Sequence, residues 1–75
     1  MEWQPLESKM FLSVAYDAEG TILYLRFQSG DVYRYFEFPA DQYQDFLNAE
    51  SHGNYSLNNI RDQFKYERLA KLRIA

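Results

Sequence analysis

A chain of 75 residues without a single cysteine must hold itself together by packing alone. A domain this short buries only roughly 60% of the surface its unfolded chain exposes, so its margin is thin. Small domains commonly add disulfides or a structural metal. The first is chemically impossible here. The single histidine, His52, is too few for a zinc knuckle, and iron–sulfur ligation needs thiolates. What remains is aromatic mass: seven Tyr, six Phe and one Trp make up 19% of the chain. Where these rings go decides the fold.

Composition sets further bounds. A hydrophobic share of 47% beside 25% charged residues belongs to a folded domain, not a disordered one. The apolar runs are a few residues long, too short to span a membrane. Met1-Glu2-Trp3-Gln4-Pro5 has neither the basic start nor the apolar stretch of a signal peptide. The expectation is a cytoplasmic protein with no membrane contact.

The net charge of −3 is unevenly spread. Residues 1–59 carry Lys9, Arg26 and Arg34 against nine acids, a net of −6. Residues 60–75 carry Arg61, Lys65, Arg68, Lys71 and Arg73 against Asp62 and Glu67, a net of +3. An acidic total argues against indiscriminate nucleic-acid binding, which needs phosphates neutralised. The basic end softens that argument, although terminal basic residues are also common solvated positions.

Residues 1–9 read as an N-terminal arm, with Trp3 and Leu6 packing back on the core. Residues 10–17, 21–27 and 31–38 are rich in aromatic and branched side chains and read as strands. Gly20 stands where the first turn wants positive φ, and Ser29-Gly30 marks the second. Short loops make the three strands an antiparallel meander. Parity sets the register, because a one-residue slip flips every side chain. Leu23, Leu25 and Phe27 share one face of the second strand. A loop over 17–20 pairs Tyr16 with Thr21, Val14 with Leu23 and Leu12 with Leu25. A three-residue loop, Gln28-Ser29-Gly30 with Gly30 left-handed, pairs Leu25 with Tyr33 and Leu23 with Tyr35. It also keeps Arg34 off the buried face.

Pro39 opens a helix over 39–49 with Asp41 in its first turn. Tyr43, Phe46 and Leu47 form its apolar stripe, while Asp41 and Asp45 lie on a solvated face. Ser51-His52-Gly53 reads as a turn between helices. A second helix over 53–63 carries Leu57, Ile60 and Phe64 on one side. The tail from Lys65 fits either a helix or an extended segment beside the sheet.

The ordered residues resemble the KTSC domain. Its Tyr-x-Tyr signature on the third strand is Tyr33-Arg34-Tyr35 here. Tyr16-Asp17 precedes the first turn, and Leu23 and Phe27 flank the second strand. Gly30 precedes Tyr33, and Pro39 follows Tyr35. Ala49, Ser51 and Gly53 follow the first helix. Ile60-Arg61 and Tyr66 complete the set. The likeness covers roughly residues 8–69, with Lys65 where relatives often carry proline. The resemblance implies a small domain that stands alone in bacteria or sits at the C-terminus of some lysyl-tRNA synthetases. That position implies a contact with RNA.

The expected fold is therefore α+β: a three-stranded antiparallel β-meander followed by two short helices packed on one face. Residues 10–69 form a single KTSC-like domain, and 70–75 a basic C-terminal tail. His52 beside Ser51 is no nucleophile–base pair, since such pairs converge in space. The expectation is a non-catalytic binding module without metal or cofactor.

Two surfaces compete for its function. Tyr33 and Tyr35, with Arg34, Arg61, Lys65 and Arg68, make a candidate nucleic-acid site: bases stack on aromatic rings beside arginine. The same tyrosines also read as core under the helices, and that reading is preferred. Arg61 fits a phosphate or a helix C-terminus. The opposite sheet face carries Tyr24, Arg26, Arg34 and Phe36, with Phe11 and Ile22 at its margins. Left open, it is a candidate surface for a protein partner or a second copy, or a plain decorated sheet with cation–π pairs.

Overall fold

The computed structural model describes residues 2–69. Their elements run β1 (Gln4–Pro5), β2 (Phe11–Asp17), β3 (Ile22–Phe27), β4 (Val32–Tyr35), α1 (Ala40–Asn48), α2 (His52–Asn59) and β5 (Tyr66–Leu69). The architecture is α+β. The strands form one five-stranded sheet in the order β1-β2-β3-β4-β5, antiparallel throughout. The expected meander is its centre, and the expected strand number of three is corrected to five. Gln4 and Pro5 extend one edge by pairing with Val14 and Ser13. Proline suits an edge because it has no N–H to donate. At the other edge, residues 66–69 take the extended path and pair with β4. The basic tail expected at 70–75, with Lys71 and Arg73, lies outside the described residues.

The second hairpin forms as parity dictates. Leu23 faces Tyr35, Leu25 faces Tyr33, and Gly30 has φ 94°. The first hairpin differs by two residues from the expected register: Tyr16 faces Leu23 and Val14 faces Leu25. An even shift keeps every side chain on its face, so apolar still meets apolar. The left-handed residue in that turn is Thr21, φ 52°, not Gly20. Gly20 serves a close approach instead. Its N–H and that of Glu19 donate to Asp17 Oδ1, and a Cβ on Gly20 would lie 2.9 Å from Asp17 Oδ2.

A β-bulge between Phe11 and Ser13 overturns one further expectation. The extra residue inverts the parity at the start of β2. Phe11 therefore lies opposite Phe27 in the core, fully buried, and not at the margin of the outer face.

The helices cover the same sheet face. Phe11, Val14, Leu23, Leu25, Tyr35, Phe38, Phe46 and Ile60 form the core, with Tyr16, Phe27, Tyr33, Tyr43 and Phe64 packed against it. Phe46 of α1 meets Phe11 edge-on at 5.9 Å, and Phe38 meets Phe64 at 4.7 Å. Helix α2 starts one residue earlier than expected, at His52. Ser51 is its N-cap, the Oγ accepting from Asn54 N at 3.2 Å. A serine oxygen here satisfies one of the orphan donors of the first turn. The helix ends at Asn59, so Ile60 and Phe64 reach the core from beyond it. Leu57, expected beside them, is 46% exposed. Asp62, φ 65°, then turns the chain back toward β5.

Candidate functional site

Beta alternation separates the residues of β4. Tyr33 and Tyr35 face the helices, and Arg34 faces the other way. Tyr35 is buried, whereas Tyr33 is half-buried. The two rings lie nearly parallel, 6.4 Å apart with 20° between their planes. One ring of the pair thus lies in the core and its neighbour at the core's edge.

Strand β5 completes the group. Tyr66 lies directly opposite Tyr35, and its ring leans over both tyrosines, 5.6 Å from Tyr33 and 6.0 Å from Tyr35. Helix α2 stands across from it. Between them lies an open cleft of about 520 Å³, lined by Phe27, Tyr33, Tyr35, Tyr66, Met10, Leu57, Arg61 and Asp31 among others. Tyr35 forms its buried floor. Burial pushes the Tyr35 phenol up to about 12, Tyr33 and Tyr66 add to the shift, and Arg61 opposes it. The phenol therefore stays protonated near neutrality and offers a hydrogen-bond donor.

Two arginines serve this side of the sheet. Arg61 follows α2 and is exposed at the cleft. Arg68 lies opposite Tyr33 in register and holds Asp31 at 2.8 Å. The hydrogen bond to Asp31 raises the Arg68 pKa further. Ser29 Oγ donates to the other oxygen of Asp31 at 3.0 Å.

Of the residues expected at a nucleic-acid site, the fold gathers Tyr33, Tyr35, Arg61 and Arg68 on one side. Arg34 is not with them. Its guanidinium pairs with Glu67 at 2.5 Å and lies over Phe36 at 5.2 Å. Hydrogen bonding with Tyr24, then with Glu67, raises its pKa. Lys65 is exposed just ahead of β5, where its carbonyl accepts from Phe36 N at 2.9 Å. The outer-face set is also covered from within. Trp3 meets the Arg26 guanidinium at 4.7 Å and Tyr24 at 6.3 Å, so it packs on this face and not on the core. Leu6 does pack on the core.

Sequence reasoning missed Tyr66 and Leu57 as site residues. The signal for Tyr66 was the alternation Tyr66-x-Arg68, which suits a strand as well as a helix. Leu57 was masked by its spacing from Ile60, which placed both on one buried stripe. His52 lies outside the cleft, its ring 5.1 Å from Phe46. Among the described residues no helix is long and apolar enough to cross a membrane.

Comparison with known proteins identifies the fold and its relatives. A crystal structure of a KTSC domain protein from Yersinia pestis matches with a TM-score of 0.89 at 28% identity, over 92% of this chain and 97% of that one. A protein of Tsukamurella paurometabola is 37% identical over 62 residues, 83% of this chain and 92% of its own length. A lysine–tRNA ligase of a Nostoc species is 36% identical over 64 residues, which are 85% of this chain but only 11% of the ligase. Residues 7–64 match the KTSC domain family itself, and the chain belongs to that family.

Proposed function

We propose that the protein is a non-catalytic RNA-binding module whose contact surface is the cleft between β4, β5 and α2. One observation carries the reading: three tyrosines, Tyr33, Tyr35 and Tyr66, converge beside Arg61 in a single open cleft. Base stacking on aromatic rings with arginine alongside is how single-stranded nucleic acid is held. The relationship to a short stretch of a lysine–tRNA ligase supports RNA as the class of ligand. The alternative, a protein partner or second copy on the outer face, has less support. There Arg34 is engaged by Glu67 and Arg26 by Trp3. The test is titration of a labelled structured RNA at low and at moderate salt. Salt-sensitive binding at micromolar protein is expected, and its absence overturns the reading.

A further inference from the structure

Leu57 and Tyr66 are the exposed large hydrophobic residues among those described, at 46% and 57%. They come from different elements, α2 and β5, yet both line the same cleft. Exposed apolar surface gathered at one concave place marks a binding site more often than scattered residues do.

The rings fix how a ligand would lie. Tyr66 sits 5.6–6.0 Å from Tyr33 and Tyr35 and tilts 41° to each, so no flat ring fits between them. Its remaining face and Leu57 are the surfaces left to stack on. A cleft of about 520 Å³ falls within the roughly 300–1,000 Å³ of small-ligand sites. That is room for one flat group and its attachments, not for a paired helix.

One arginine stands in the cleft and one beside it, with the carboxylates of Asp31 and Asp62 also in the lining. Arg61 stands at the Tyr35 end, close enough to oppose the rise in that phenol's pKa. Arg68 lies beside the lining residues, opposite Tyr33 in register and paired with Asp31, which does line the cleft. Every internal nucleotide of a strand has a phosphate on each side. In a duplex its base is stacked and paired, so it offers no free face.

We infer that the cleft takes one unpaired nucleotide of an RNA strand, its base against Tyr66 and Leu57 and its flanking phosphates at Arg61 and Arg68. This rests on the RNA-binding reading above.

The test compares a labelled single-stranded oligoribonucleotide with the same strand annealed to its complement. The single strand is expected to bind more tightly. Tyr66→Ala should weaken its binding about 5- to 150-fold, the span measured for loss of one base–aromatic stack, and Tyr66→Phe should restore it. Arg61→Ala and Arg68→Ala should each lower the slope of log affinity against log salt by about 0.7, one phosphate contact on a single strand. Circular dichroism of each variant checks that the sheet persists. Equal binding of duplex and single strand overturns the inference and leaves the RNA-binding reading standing. So does a Tyr66→Ala variant of unchanged affinity. If neither RNA binds, the reading falls and the inference with it.

Discussion

The Tyr16 hydroxyl donates to the backbone carbonyl of Phe38 at 2.5 Å, across 22 positions of sequence. Phe38 N in turn donates to the Thr21 carbonyl at 2.8 Å. Both polar groups of a fully buried residue are thereby satisfied by the β2–β3 end of the sheet. This lets the chain leave β4 through Glu37, φ 54°, and still bury a phenylalanine. The same tyrosine ring stacks on Tyr43 of α1, 4.6 Å away and 13° from parallel. Tyr16→Phe keeps the ring and removes the donor, leaving a buried carbonyl unpaired. The expected loss is about 1–3 kcal/mol in denaturant unfolding, with an unchanged m-value. An unchanged midpoint would show that water replaces the hydroxyl without cost.

Thr21 carries a positive φ of 52° on a branched side chain, the residue type least suited to that region. Its neighbour Gly20 does not use the freedom it has. Thr21→Gly should therefore stabilise the protein by up to about 1 kcal/mol, the released strain being partly offset by a looser unfolded chain. The Thr21 carbonyl that receives Phe38 N is untouched by the change. A rise in Tm supports the assignment of strain. A fall would mean that the bond from Thr21 Oγ1 to the Gly20 carbonyl, 2.7 Å, outweighs it.

Residues whose environment is local were legible in the sequence. Strand alternation in β3 and the spacing of Gly30 from Tyr33 determine the β3–β4 register without reference to anything distant. The apolar stripe of α1 needed only helical periodicity. The bulge near Leu12 was not legible, because an inserted residue leaves no mark on composition and yet inverts parity, sending Phe11 inward. Strand β5 is a tertiary outcome. Tyr66-Glu67-Arg68-Leu69 suits a helix or a strand, and the open edge of β4 decides between them. The cleft followed the same division. Tyr33 and Tyr35 stood out as a pair, but Tyr66 joins them only once β5 has docked.

Tyr35 gives the fold a defined response to alkali. Its phenol is raised to about 12 by burial, against 10.0 for the free group. The folded state therefore holds this proton where the unfolded chain releases it. Stability from this group is complete below pH 10 and declines as pH rises toward about 12. Tyr16, Tyr43 and Tyr55 are raised as well and add slope of the same sign. Tyr35→Phe should flatten the decline without abolishing it. Denaturant midpoints across this alkaline range, for both proteins, supply the measurement. Identical slopes would place the Tyr35 phenol in water.

The pair Arg68–Asp31 sets a cation beside Tyr33 but engages it already, at 2.8 Å. A phosphate arriving at Arg68 must compete with a carboxylate fixed in place by Ser29. Asp31→Asn removes the competing charge while keeping an oxygen of similar shape. If Arg68 receives a phosphate, this variant should bind single-stranded RNA more tightly than the wild type. Its salt dependence should match that of the wild type, because Arg68 meets one phosphate in both proteins. The fold should change little in stability, since an exposed ion pair contributes weakly. Fluorescence titrations at several salt concentrations give both affinity and slope. Unchanged affinity would assign Arg68 to holding β5 against the β3–β4 turn alone, and would leave Arg61 as the cation of the cleft.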